Sequence, residues 1–182
     1  MLKLTTLFLF VCMSSLVSGQ IVASDSICWN RTYKLEWSDF QGKKPDSSPK
    51  WHTAGCAASI YAQGYIDQGF PNYRISNCFI KHLSWVTDSS SDGGLEHEQL
   101  HFDIAELYAR KIRKAIDNLR KKKLKNYSSY EPVINRLLDE REAMDVQYDK
   151  ETFHSMNIEK QKEWCKKIAK DLDKLKKYAS DR

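Results

Sequence analysis

Two unlike halves constrain what this chain can fold into. Residues 28–87 are rich in aromatic and β-branched residues punctuated by Gly and Pro, whereas residues 93–180 are rich in Lys, Glu, Leu and Ala and almost free of both. Strand-forming sequence followed by helix-forming sequence predicts one α+β domain, a small antiparallel sheet and then long helices. Tyr33 to Phe40 reads as a first strand. Thr53 to Tyr65 and Tyr73 to Val86 read as a hairpin about the turn signal Gln68-Gly69-Phe70-Pro71-Asn72. In the second of these runs Tyr73, Ile75, Asn77 and Phe79 share a face. After a polar connector over 88–94, whose Ser and Asp residues are suited to capping, Leu100, Ile104, Leu107, Ile112, Ala115 and Leu119 keep helical spacing. A second helix is expected from about Pro132 to Met144, with Val146 to Met156 as a loop. A last helix is expected from about Ile158 to Tyr178, with Gln161, Trp164, Ile168, Leu172 and Leu175 as its buried stripe.

The first long helix carries His97-Glu98-Gln99-Leu100-His101, an HExxH pattern. Two histidines four apart lie on one helical face, one turn above each other. Both imidazoles can therefore reach a single metal at about 2.0–2.1 Å. Glu98 flanks that metal, where a carboxylate can take a proton from an activated water. In a chain with five histidines, accidental polar decoration of a helix face is the weaker reading.

A catalytic zinc needs three protein ligands and an open position. Glu106 lies five residues beyond His101, about 140° around the helix, and Asp103 is likewise off the metal face. These two read either as partners that orient the imidazoles or as plain surface charges. His52 and His82 fall in the strand half and read as structural. His154, just before the last helix, is the preferred third ligand, and Asp149 is the alternative. Tyr148 reads either as a hydrogen-bond donor to a developing oxyanion or as an aromatic that anchors the loop.

The first residues read as a signal peptide over 1–19: Lys3, an apolar run from Leu7 through Leu16, and Val17-Ser18-Gly19 before a cut ahead of Gln20. Residues 20–182 then form one domain, with no further stretch of membrane-spanning length. Cys12 inside the apolar run fits a lipoprotein pattern poorly. Four cysteines follow the cut, Cys28, Cys56, Cys78 and Cys165. An even count in an exported chain predicts two disulfides, with three pairings open. The formal charge of +5 loses Lys3 and becomes +4. That modest excess does not call for nucleic acid, and the run Arg120 to Lys125 reads as a solvated helix end.

The segment HEQLHFDIAELYARKIRKAI resembles the core of the bacterial exported proteins grouped as domain-of-unknown-function family nine-two-two. Leu35 to Phe40 with Gly42 and Pro45, Ser84-Trp85-Val86, and Tyr148-Asp149, Thr152, His154, Gln161 and Trp164 resemble its other signatures. The likeness spans about 33–170. It implies a zinc-dependent peptidase with a zincin-like arrangement, metal on His97, His101 and His154, and Glu98 catalytic. One departure is Ser155, where the family pattern places Gly.

The resulting expectation is an exported Zn2+ hydrolase acting on peptide or protein substrates, in a periplasm or outside the cell. Two alternatives stand beside it: a non-catalytic binding module with structural zinc or none, and a zinc amidase acting on cell-wall peptides. A further expectation is that the backbone of Tyr73 to Val86 holds an extended substrate by strand addition.

Overall fold

A computed structural model describes residues 25–87 and 92–180. The signal peptide over 1–19, Cys12 and the capping residues of the connector at 88–91 lie outside the described residues. The strands are β1 (Ser26–Cys28), β2 (Ala54–Gly55), β3 (Ala58–Asp67), β4 (Phe70–Ile80) and β5 (Trp85–Val86). The helices are α1 (Asp92–Lys121), α2 (Glu131–Thr152) and α3 (Ile158–Lys174). The fold is therefore α+β, small antiparallel sheets followed by three long helices. Among the described residues no helix is long and apolar enough to cross a membrane.

There are two small sheets rather than one: a three-stranded sheet in the order β1-β4-β3 and a two-stranded sheet of β2 and β5, all antiparallel. The hairpin turn is only Gln68-Gly69, with Asp67 opposite Phe70. Both turn residues have positive φ, 50° and 78°, as a two-residue turn that follows the right-handed strand twist requires. Gly69 meets that demand without a Cβ. Phe70, Pro71 and Asn72 belong to β4, not to the turn. β1 covers the second edge of β4 only over Cys78–Ile80, so that part of the strand is closed to strand addition.

Tyr33 to Phe40 is not a strand. Its backbone donors bond to side chains instead of a ladder: Leu35 N–H to Gln99 Oε1 at 2.9 Å and Glu36 N–H to Asp39 Oδ2 at 3.0 Å. Trp37–Asp39 then forms a short 3-10 turn. β1, which the sequence pattern did not single out, takes the sheet position and pairs Cys28 with Cys78. These two form the one disulfide among the described residues, while Cys56 and Cys165 are free thiols. The expectation of two disulfides is corrected to one. A disulfide fits an oxidising compartment.

α1 is buried on two sides. Ile104, Leu107, Tyr108, Ile112 and Ile116 pack with Ile75 of β4, Ile134, Leu137 and Tyr148 of α2, and Trp164 and Ile168 of α3. Phe102 and Ala105 pack with Trp29, Leu35, Phe40 and Phe79 in a second core. Each large apolar side chain so buried contributes about 1.5–3 kcal/mol. Glu106 is fully buried and bonds to Arg110 Nε at 2.9 Å and Arg113 Nη1 at 3.0 Å. Asp103 accepts from Trp29 Nε1 at 2.7 Å and from Gln99 at 3.0 Å. Neither acid orients the metal-facing imidazoles; both tie α1 to its neighbours.

α2 extends two turns beyond Met144, to Thr152. Tyr148 and Asp149 are therefore helical rather than loop residues.

Candidate metal centre

Asp145, Tyr148, Asp149 and Thr152 occupy i, i+3, i+4 and i+7 of α2, one helical stripe. That stripe packs against the His97 and His101 face of α1. His97 Nε2 and His101 Nε2 are 3.3 Å apart. Asp149 Oδ1 lies 3.0 Å from the first and 2.9 Å from the second. The three side chains form a group able to hold a metal ion. Around a tetrahedral ion with ligands at 2.0–2.1 Å, donor atoms sit about 3.3–3.4 Å apart. The observed spacings agree within a few tenths of an ångström.

The hydrogen bonds behind the imidazoles support the same reading. His101 Nδ1 is 2.8 Å from Asp145 Oδ1, whose other oxygen lies 2.6 Å from Arg141 Nε. His97 Nδ1 is 3.3 Å from Gln161 Oε1, which also accepts the Tyr148 hydroxyl at 2.7 Å. Both Nδ1 atoms face acceptors and so carry hydrogen, a tautomer assigned from this network. Both Nε2 lone pairs then point at one place, beside a carboxylate oxygen. Lone pairs crowded in this way repel unless a cation lies among them, and orientation by an outer acceptor is what metal-bound histidines need.

The titration of the group reflects the same crowding. Burial works against charge on His101, yet hydrogen bonds with Asp145 and Asp149 prevail and push its imidazole up to about 10. Burial likewise opposes ionisation of Asp149, but the bonds from His101 and His97 hold its carboxyl well below the usual carboxylate range. Burial pushes the Glu98 carboxyl up, and the two imidazoles pull the other way.

His154 stands outside the group of three. Its Nδ1 is 3.7 Å from Asp149 Oδ1, and its ring is 6.4 Å from that of His97. The turn that carries it is unusual: Phe153, His154 and Ser155 have φ of 48°, 51° and 75°. Three successive left-handed residues, none a glycine, cost of order 1–3 kcal/mol each. Ser155 occupies a conformation that suits the Gly of the family pattern. The turn is closed by Asn157 N–H on Thr152 O at 2.8 Å, and the Asn157 side chain caps α3 by accepting Lys160 N–H at 3.1 Å. His52, read from sequence as structural, lies with its ring 4.5 Å from that of His154.

Tyr148 is fully buried and stacks on His97 at 4.5 Å. Its hydroxyl is spent on Gln161, so it anchors the imidazole and does not face the cleft. Asp145 and Gln161 are the site residues the sequence reading missed or took for core.

The group opens onto a cleft of about 550 Å³, lined also by Glu98, Trp51, His52, Trp85, Arg141 and Met156. A larger cavity of about 850 Å³ lies elsewhere, between the Trp29–Leu35 segment, α1 and α3. None of His97, His101 and Asp149 lines that cavity; the candidate metal group belongs to the smaller cleft.

No curated protein and no solved structure matches the chain. Residues 81–155 do match a known family. That stretch holds His97, Glu98, His101, Asp145, Asp149 and His154, and it is shorter than the span of about 33–170 suggested by sequence likeness. The segment that builds the candidate metal group thus matches the family described as bacterial protein of unknown function, DUF922.

Proposed function

We propose that this protein is an exported metal-dependent hydrolase, a peptidase, with zinc held by His97, His101 and Asp149. The observation that carries the reading is the convergence of two Nε2 lone pairs and a carboxylate oxygen within 3.3 Å, at the floor of a cleft that Glu98 also lines. Two imidazoles and one carboxylate leave room for a fourth ligand, as a catalytic zinc requires. An ion of this kind supplies polarisation of a carbonyl and lowers the pKa of a water toward about 7.

The chain's own groups do the rest. Glu98, which lines the same cleft, would accept a proton from the attacking water at its carboxylate and pass it to the leaving amine. The Cys56 backbone N–H bonds to Glu98 and fixes it relative to β2. Asp145 and Gln161 hold the imidazoles in register. His154 lines the same cleft, its Nδ1 3.7 Å from Asp149 Oδ1. A helix with HExxH and a carboxylate from a later helix is the zincin-like part of this reading.

The test is the metal content of the mature chain beside single variants. One zinc per chain is expected, lost in His97→Ala and Asp149→Ala and kept in His154→Ala. Loss in His154→Ala with retention in Asp149→Ala moves the third ligand to His154. Glu98→Gln is expected to keep zinc and to lower peptide turnover by at least a hundredfold. Full turnover in that variant rejects the mechanism.

A further inference from the structure

The wall of the metal cleft carries apolar surface that the fold does not use. Trp51 is 59% exposed and Met156 is 74% exposed, and both line the cleft. Trp51 is not a loose surface residue. Its ring stands edge-on to His52 at 4.1 Å and to His154 at 4.9 Å. The loop beneath it is fastened by Lys44, whose Nζ donates to the carbonyls of Pro49 at 2.9 Å and His52 at 2.6 Å. A large indole is thus held in place with its face toward solvent. Isolated exposed apolar residues are ordinary, but apolar surface inside a cleft beside a few convergent polar groups marks a ligand subsite.

We propose that Trp51 and Met156 form the subsite for a bulky apolar side chain next to the bond that is cut, so that the substrate is a polypeptide with an aromatic or long aliphatic residue at that position. This rests on the peptidase reading above. The position follows from distances. Trp51 packs on His154, and His154 Nδ1 is 3.7 Å from the Asp149 oxygen that faces the metal. An extended peptide advances about 3.3–3.6 Å per residue. Trp51 thus lies within about one to three residue steps of a bond held beside Asp149, and the proposal assigns it to the residue next to that bond.

Charge in the cleft supports the same class of substrate. Among the described lining residues the one Lys or Arg is Arg141, and its guanidinium is engaged by Asp145 at 2.6 Å. Glu98, Asp145 and Asp149 supply negative charge. Away from the proposed metal, an acidic side chain entering here finds no Lys or Arg among the described lining residues free to receive it.

The experiment uses the zinc-loaded mature chain and quenched fluorogenic peptides of one background. They differ only at the two residues flanking the bond, set in turn to Phe, Leu, Ala and Glu, with cut sites read by mass spectrometry. Phe and Leu on one side of the bond are expected to exceed Ala by about tenfold or more in kcat/KM, with Glu slowest. Trp51→Ala is expected to reduce the Phe-to-Ala ratio to below about threefold, and Trp51→Phe to preserve it. Zinc stoichiometry reports that each variant holds its site, and the ratio within one variant is independent of how much enzyme is active. An unchanged ratio in Trp51→Ala overturns the proposal, as does cleavage confined to cell-wall peptides. A zinc-loaded wild type that cuts none of the peptides overturns the peptidase reading and this proposal together.

Discussion

Replacing Asp145 with Asn tests whether the carboxylate behind His101 tunes the metal group. The perturbation is small in shape. The Asn carbonyl can still accept from His101 Nδ1, now at 2.8 Å from Asp145 Oδ1. What is lost is negative charge, and with it the electron density that the carboxylate pushes through the ring toward Nε2. Such partners typically carry 10–100-fold in metal affinity, or about 1.4–2.7 kcal/mol. Stabilisation by a ligand grows as RT ln(1 + [L]/Kd), so at zinc far above both dissociation constants the holo variant loses the same 1.4–2.7 kcal/mol beyond any change in the metal-free chain. At about 2–4 °C per kcal/mol for a domain of this size, that is a drop of about 3–11 °C in the zinc-dependent part of Tm. Competition with a chromophoric chelator gives the affinity, and calorimetry with and without zinc gives the shift. If Kd stays within twofold and the zinc-dependent shift is unchanged, Asp145 does not act through His101 and the argument fails.

Three further outcomes are expected. Glu106→Gln leaves Arg110 and Arg113 buried without their anion and should cost about 3–5 kcal/mol in urea unfolding, with zinc affinity unchanged because Glu106 is away from the cleft. Alkylation of the denatured, unreduced mature chain should mark two thiols, Cys56 and Cys165; the Cys28–Cys78 bridge closes a separation of 50 residues, so removing it should cost about 4 kcal/mol on loop-entropy grounds. Burial opposes ionisation of Asp39, but bonds from the Glu36 backbone, Tyr33 and Lys81 outweigh it and lower its pKa below the ordinary 3.8. Its contribution is therefore present above that value and fades as pH falls below it, so the stability gap between wild type and Asp39→Asn should narrow in acid; a gap that widens would contradict the sign.

Periodicity found α1 because its buried face is apolar, and HExxH announced itself by residue type and spacing. The same method lost the second half of α2 for a physical reason. Its inward positions at 145, 148, 149 and 152 are Asp, Tyr, Asp and Thr, which bond to the histidine pair, to Gln161 and to the helix backbone, so apolar periodicity is silent there. Polar residues at i, i+3, i+4 and i+7 were the available signal, and they would have named Asp145 and Asp149 together. Tyr33 to Phe40 has the composition of a strand, but Gln99 and Asp39 capture its backbone donors, one from a distance of 64 residues along the chain. Cysteine parity gave a number of bridges, whereas pairing depends on which strands are neighbours, and β1 was too short to be seen.

The double burial of α1 has a consequence for how the centre is filled. Small zinc folds collapse when stripped because the ion replaces a core. Here the rod that presents His97 and His101 is wedged between two oily layers that owe nothing to the ion. Dialysis against EDTA should leave helical circular dichroism intact, and re-addition should restore the loaded state without refolding. On the proposed reading the cradle is built before its occupant arrives, so loading would answer to supply in the surroundings rather than to synthesis.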